Sequence, residues 1–258
     1  MIHSILNTII LLGAIQGFIT SILLFWFKSN KKANQVLAWL ILFISLACLN
    51  IYFLETIKNA PTFWLIFEAI FPLVIIMPIG PLAYFYVKAL LNPDFGLNKT
   101  HRIHFYTAFI DLIPYLTASI FIICSFLGVI SSESNTAWGN FIDTYNIYAD
   151  IPRWVSMMIY ITFAYKMIVA HSNTPKNRTL IKWGKRFVTG FLIFTVIWGI
   201  HLIFYLTPEL SNKLLAIVGW YPIYIPLIVL IYWLGINGFI ISFKAYTNRA
   251  LNLSEDSI

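Results

Sequence analysis

Glu68 and Asp111 are acidic residues inside long apolar runs, and His201 lies in a third such run. A carboxylate at hydrocarbon depth costs at least a few kcal/mol unless it is paired, protonated or wet, so each marks a polar interior or a function. Trp198, His201 and Tyr205 share one face at helical spacing. With Asn50, Glu68, Tyr221 and Tyr224 at similar depth, they predict a ligand pocket with a carboxylate and an imidazole as anchors and aromatic rings as walls. The competing reading leaves Glu68 among lipid headgroups and His201 hydrogen-bonded to a neighbouring helix. Asp111 either anchors a neighbouring element, with Asn237 the candidate at matching depth, or handles a proton.

Other chemistries lack their residues. The chain has no HExxH, no G-x-S-x-G, no phosphate-binding loop, no glycine-rich dinucleotide motif and no clustered acidic pairs, so no enzymatic activity is expected. His101 and His104 have a metal-compatible spacing, but Asp94 is the sole further ligand type close by. Headgroup-facing or solvated histidines, with no metal and no cofactor, are expected. Cys48 and Cys124 are expected to be ordinary buried thiols. The last apolar run has no lysine at its middle for a retinal Schiff base. No charges align at midplane across several runs, which weighs against ion-coupled transport.

The elements that must position these side chains follow from composition. Hydrophobic residues make up 60% of the chain and charged residues 10%, against roughly 25% charged in a soluble domain. A membrane-spanning helix needs about 20 apolar residues. Seven stretches qualify, at about 5–27, 36–54, 63–91, 105–127, 151–170, 187–206 and 214–241. The fold expected is an all-α integral membrane bundle of seven helices over residues 1–242, followed by a short, frayed tail at 243–258.

Segments 28–32, 88–102, 166–186 and 244–249 hold fourteen of the seventeen Lys and Arg residues, leaving Lys58, Arg153 and Lys213 on the other side. Basic residues mark the cytoplasmic side, so the N-terminus is expected outside and the C-terminus in the cytoplasm. The first run is too long for a signal-peptide core and has its basic cluster after it, so it is read as the first helix.

Prolines shape two of the seven stretches. Pro72, Pro78 and Pro81 interrupt the third, and Pro222 and Pro226 the outer half of the seventh. Freed backbone groups at membrane depth must face protein or water, so both helices are expected to border a cavity. Gly13, Gly17 and Ser21 give the first helix a small-residue face, for packing inside the bundle or for a homodimer. Gln16 beside it is expected to bond a neighbouring helix. Trp138, Phe141, Tyr145 and Tyr148 predict a short amphipathic helix on the outer membrane surface, either an interfacial aromatic belt or a lid over a pocket, with a separate fifth span opening at Pro152.

The QG of the first helix, the run PLAYFYVKALLNPDFGLNK at 81–99, the HRIHF entry to the fourth helix and the WLGINGF close of the seventh resemble the seven-helix membrane domain of Bacteroidetes-type AraC family regulators. The resemblance implies a sensory module of the bacterial inner membrane, whose output is transcriptional regulation through a cytoplasmic helix-turn-helix domain. Residues 243–258 are too few for such a domain, which takes roughly a hundred residues. DNA is therefore a partner only through a longer parent protein. The expected function is detection of an extracytoplasmic or lipid-soluble signal near Glu68 and His201, relayed through the last helix. A small multi-span transporter or permease is the alternative. Partners expected are membrane lipids and an unidentified small ligand.

Overall fold

The computed structural model describes residues 2–27, 30–56, 62–92, 94–130, 135–172 and 178–255. The outer turn expected at Lys58 to Pro61, residues 131–134 of the connection before α7, most of the basic loop at 173–177, Pro93 and the last three residues lie outside the described residues.

All regular structure among the described residues is helical. In order, the elements are α1 (Ile2–Trp26), α2 (Lys31–Thr56), α3 (Thr62–Ile70), α4 (Ile79–Leu91), α5 (Lys99–Arg102), a 3-10 turn (Ile103–Ala108), α6 (Phe109–Phe126), α7 (Asn135–Ala170), α8 (Arg178–Leu206), α9 (Pro208–Ile217) and α10 (Tyr221–Glu255). Five helical stretches are long and apolar enough to cross a membrane: His3–Trp26, Lys31–Thr56, Lys99–Phe126, Arg178–Leu206 and Tyr221–Ile241.

The third stretch is two half-helices. α3 has 9 residues and α4 has 13, and the chain between Phe71 and Pro78 is not helical. Pro72 and Pro78 lie in this gap, whereas Pro81 falls in the first turn of α4, where a missing N–H costs no helical bond. The seventh stretch behaves differently from expectation. α10 is continuous from Tyr221 to Glu255, because Pro222 also occupies a first turn and Pro226 is absorbed in the helix. Nor does the helix end at residue 242: the expected frayed tail continues as helix to Glu255.

α7 corrects a further expectation. One helix of 36 residues runs from Asn135 to Ala170 with Pro152 inside it, replacing the separate surface helix and fifth span. At 1.5 Å per residue it is about 54 Å long, more than a hydrocarbon core is thick. Arg153 and Lys166 lower the hydropathy of its second half.

α4 and α2 are enclosed helices, whereas α6 is peripheral. Tyr86, Phe187 and Phe191 form an aromatic row in the core, and the Trp183 indole donates to the Tyr86 hydroxyl at 2.8 Å. α1 and α10 interlock through glycines, as small residues allow where lipid removes any hydrophobic drive between helices. A Cβ on Gly13 would stand 2.6 Å from Ile228, and one on Gly235 2.8 Å from Thr20. Gly17 abuts Ser45, and the Ser21 hydroxyl donates to the Ala38 carbonyl at 2.9 Å. The small-residue face is thus covered by this chain's own helices, and a homodimer would need another face. Gln16 bonds within its own helix, to Thr20 at 3.4 Å.

Candidate functional site

The gap between α3 and α4 frees backbone groups that need partners away from water. α6 supplies them. Asp111 and Tyr115 are four residues apart and project from one helical face. Asp111 Oδ2 accepts from the amides of Ile76 at 2.7 Å and Met77 at 2.6 Å. The Tyr115 hydroxyl accepts from the Val74 amide at 3.0 Å. Asp111 Oδ2 therefore sits just before the N-terminus of α4, where the half-helix dipole favours negative charge.

The other carboxylate oxygen is also engaged. Arg153 Nε donates to Asp111 Oδ1 at 2.8 Å, and Arg153 Nη1 donates to Asp150 Oδ1 at 3.0 Å. Asp111 is fully buried, and Asp150 and Arg153 nearly so. Buried charge persists where pairing and hydrogen bonds together offset desolvation, and this triad meets both conditions. The partner of Asp111 is Arg153 of α7; Asn237, the expected one, instead donates to the Trp233 carbonyl of its own helix at 2.8 Å. Arg153 is correspondingly an interior residue and not an outer-loop charge. A freed carbonyl is satisfied nearby: Pro114 has no N–H for Ile110 four residues back, and the Tyr145 hydroxyl donates to that carbonyl at 2.9 Å.

This network forms one wall of a half-enclosed cavity of about 470 Å³. α2 contributes Asn50, α3 contributes Glu68, and the non-helical segment contributes Val74 and Ile76. Asp150, Arg153 and Asn146 come from α7, and Trp198 and Tyr205 from α8. Trp220 and Tyr224 close the side at the start of α10. The ring centroids of Tyr205 and Trp220 are 4.9 Å apart, edge to face. Such a lining combines an apolar aromatic enclosure with convergent polar groups, as ligand sites do.

Of the residues singled out in the sequence, Asn50, Glu68, Trp198, Tyr205 and Tyr224 line this cavity, and Asp111 sits at its base. His201 and Tyr221 do not. His201 is buried behind the wall, its ring 5.2 Å from that of Trp220 and 6.4 Å from that of Tyr205, and among the described residues its Nε2 has no hydrogen-bond partner. Tyr221 faces α1, donating to Asn7 Oδ1 at 2.8 Å. Sequence reasoning missed Tyr115, Asp150, Asn146 and the interior role of Arg153. The spacing Asp150-x-x-Arg153 in an otherwise apolar, aromatic region was the available signal.

His101 and His104 are half-buried, each with a side-chain partner. His101 Nε2 lies 3.2 Å from Lys88 Nζ, and His104 Nδ1 lies 2.7 Å from the Tyr160 hydroxyl. Cys48 is buried and Cys124 half-buried, both as free thiols. Compared with known proteins, the chain has no match: no family model, curated protein or solved structure is significantly similar to it.

Proposed function

We propose that this chain is a membrane-embedded sensory module that binds a small ligand in the cavity between α2, α3, α7, α8 and α10. The membrane would be a bacterial inner membrane, crossed seven times by α1, α2, the α3–α4 pair, α6, the second half of α7, α8 and α10. The excess of Lys and Arg at one end of the bundle supports a cytoplasmic C-terminus. The reading is non-enzymatic and needs no cofactor.

One observation carries it: the cavity wall includes a broken helix whose backbone amides are held by side chains of a neighbouring helix. A ligand that favours one packing of this segment shifts the bundle toward that packing, and one that binds both equally shifts nothing. Three carboxyls and one guanidinium beside indole and phenol rings favour a neutral or cationic compound with an apolar body. The start of α10 forms part of the wall, which gives a route to the cytoplasmic end. The resemblance to AraC-type membrane regulators supplies the output, a helix-turn-helix domain of a longer parent protein. Reading the gene past the codon for Ile258 tests that output.

The same discontinuous helix favours a second reading, since transporters place broken helices at their substrate sites. One preparation separates the two. The protein is reconstituted in vesicles, and compounds that alter Trp198 and Trp220 fluorescence are tested for uptake. Binding without uptake supports the sensor, uptake of the bound compound supports the permease, and no fluorescence response across neutral and cationic amphiphiles overturns the cavity assignment.

A further inference from the structure

A second depression, of about 610 Å³, opens on the side of the molecule between α4, the 3-10 turn and α7. Its lining combines the polar side chains of Lys88, His101, His104 and Tyr160 with the apolar Val155, Ile159 and Phe163. The three apolar residues are exposed by 40%, 46% and 49%, so the outward face of α7 continues the groove as an open hydrocarbon track. Hydrogen bonds tie the polar side chains together. Lys88 Nζ lies 3.2 Å from His101 Nε2, and His101 Nδ1 lies 3.2 Å from the Gly96 carbonyl and 3.4 Å from the Asn98 amide. A Tyr160 hydroxyl donating to His104 Nδ1 leaves the N–H of that ring on Nε2. Lys88 forms no ion pair among the described residues, while Lys99 and Arg102 are exposed on the adjacent α5. The groove therefore joins a cationic, donor-rich head to an apolar track.

We propose that this groove is a binding site for an anionic phosphoglyceride, its phosphate held by Lys88 and His104 and one acyl chain lying along Val155, Ile159 and Phe163. Charge complementarity selects the headgroup, because basic pockets between membrane helices recognise anionic lipid heads. The apolar track selects a lipid over a free phosphate, which would leave it uncovered. The inference rests on the reading that the chain is membrane-embedded, and the groove shares no lining residue with the ligand cavity.

The test uses the full chain in vesicles of phosphatidylcholine with or without phosphatidylglycerol. Lipid retained after detergent extraction is counted by native mass spectrometry. Phosphatidylglycerol is expected to be enriched over phosphatidylcholine, with enrichment falling about five-fold in Lys88→Gln, as expected for one cation at a lipid surface. Lys182→Gln, which removes an exposed charge elsewhere on α8, is expected to leave it unchanged. Phe163→Ser, which interrupts the track without touching the head, is expected to lower enrichment as well and keeps the test informative if the Lys88 variant misfolds. Equal loss in Lys88→Gln and Lys182→Gln, or displacement of the lipid by millimolar glycerol phosphate, would overturn the site while leaving the membrane reading intact. Failure of the protein to float with either vesicle would overturn the membrane reading and the site together.

Discussion

Asp111 shows what a single carboxylate can hold in place. Its two oxygens receive three hydrogen bonds, two from backbone amides of the non-helical segment and one from Arg153. Asp111→Ala leaves a buried guanidinium with only Asp150 and two amides with no acceptor, and it is expected to destabilise the protein by about 3–5 kcal/mol, the cost of breaking a buried pair. Arg153→Met leaves the Asp111 charge to the amides alone and is expected to cost a comparable amount. The double variant Asp111→Ala/Arg153→Met should lose clearly less than the sum, because Asp150 is then the one member of the triad left without its partner. Thermal unfolding in detergent reads all three, and strict additivity would show that the two side chains act independently. A subtler pair lies nearby. Tyr145→Phe orphans the Ile110 carbonyl and is expected to cost about 1–3 kcal/mol, yet in a Pro114→Ala background the new amide can take that carbonyl and the same change should be nearly silent. Asp111 was legible in the sequence as a functional or anchoring residue, since its apolar setting announces it. Its partner was not, because charge counting treats Arg153 as a loop residue until the course of α7 places it inside.

Helices report their prolines unequally, and the reason is the availability of competing acceptors. Pro72 and Pro78 flank a segment whose amides find acceptors on α6, so the helix there gives way completely. Pro222 and Pro81 cost nothing because they stand in first turns, and Pro152 is carried inside α7. From the sequence alone all five read as breaks or starts; only the tertiary partners distinguish them. The glycine pattern was more transparent. Gly13, Gly17 and Ser21 announced a close helix contact, though not that α10 returns it with Gly235 against Thr20 and sets Gly238 against Leu37 of α2. Gly13→Leu is expected to destabilise by about 1–3 kcal/mol through overpacking against Ile228. Gly139, with open space where its Cβ would be, is the contrast: Gly139→Ala should raise stability by up to about 1 kcal/mol through helix propensity. Melting temperatures of the two variants in one detergent decide the point, and a neutral Gly13→Leu would mean that the α1–α10 seam is looser than its geometry.

At the scale of the whole molecule, the cavity and the basic clusters occupy opposite ends. Lys182 and Tyr205 both lie on α8, and at 1.5 Å per residue the helix between them spans about 35 Å, the thickness of a hydrocarbon core. Tyr205 and Trp220 at the cavity lie next to α9, which carries Lys213. Any membrane that covers the apolar middle of this bundle therefore puts the cavity mouth near one face and Lys182, Lys185 and Arg186 near the other. The proposed orientation turns this into a labelling experiment. In a Cys48→Ser/Cys124→Ser background, Lys213→Cys in intact cells is expected to react with a membrane-impermeant maleimide added outside, and Lys182→Cys only after permeabilisation. The positive-inside asymmetry makes the prediction directional. The reverse pattern would open the cavity to the cytoplasm, turn the sensor into a reader of an internal metabolite, and place the proposed lipid groove in the outer leaflet. Labelling of both from outside would mean that α8 does not cross the membrane, and the seven-span reading would fall.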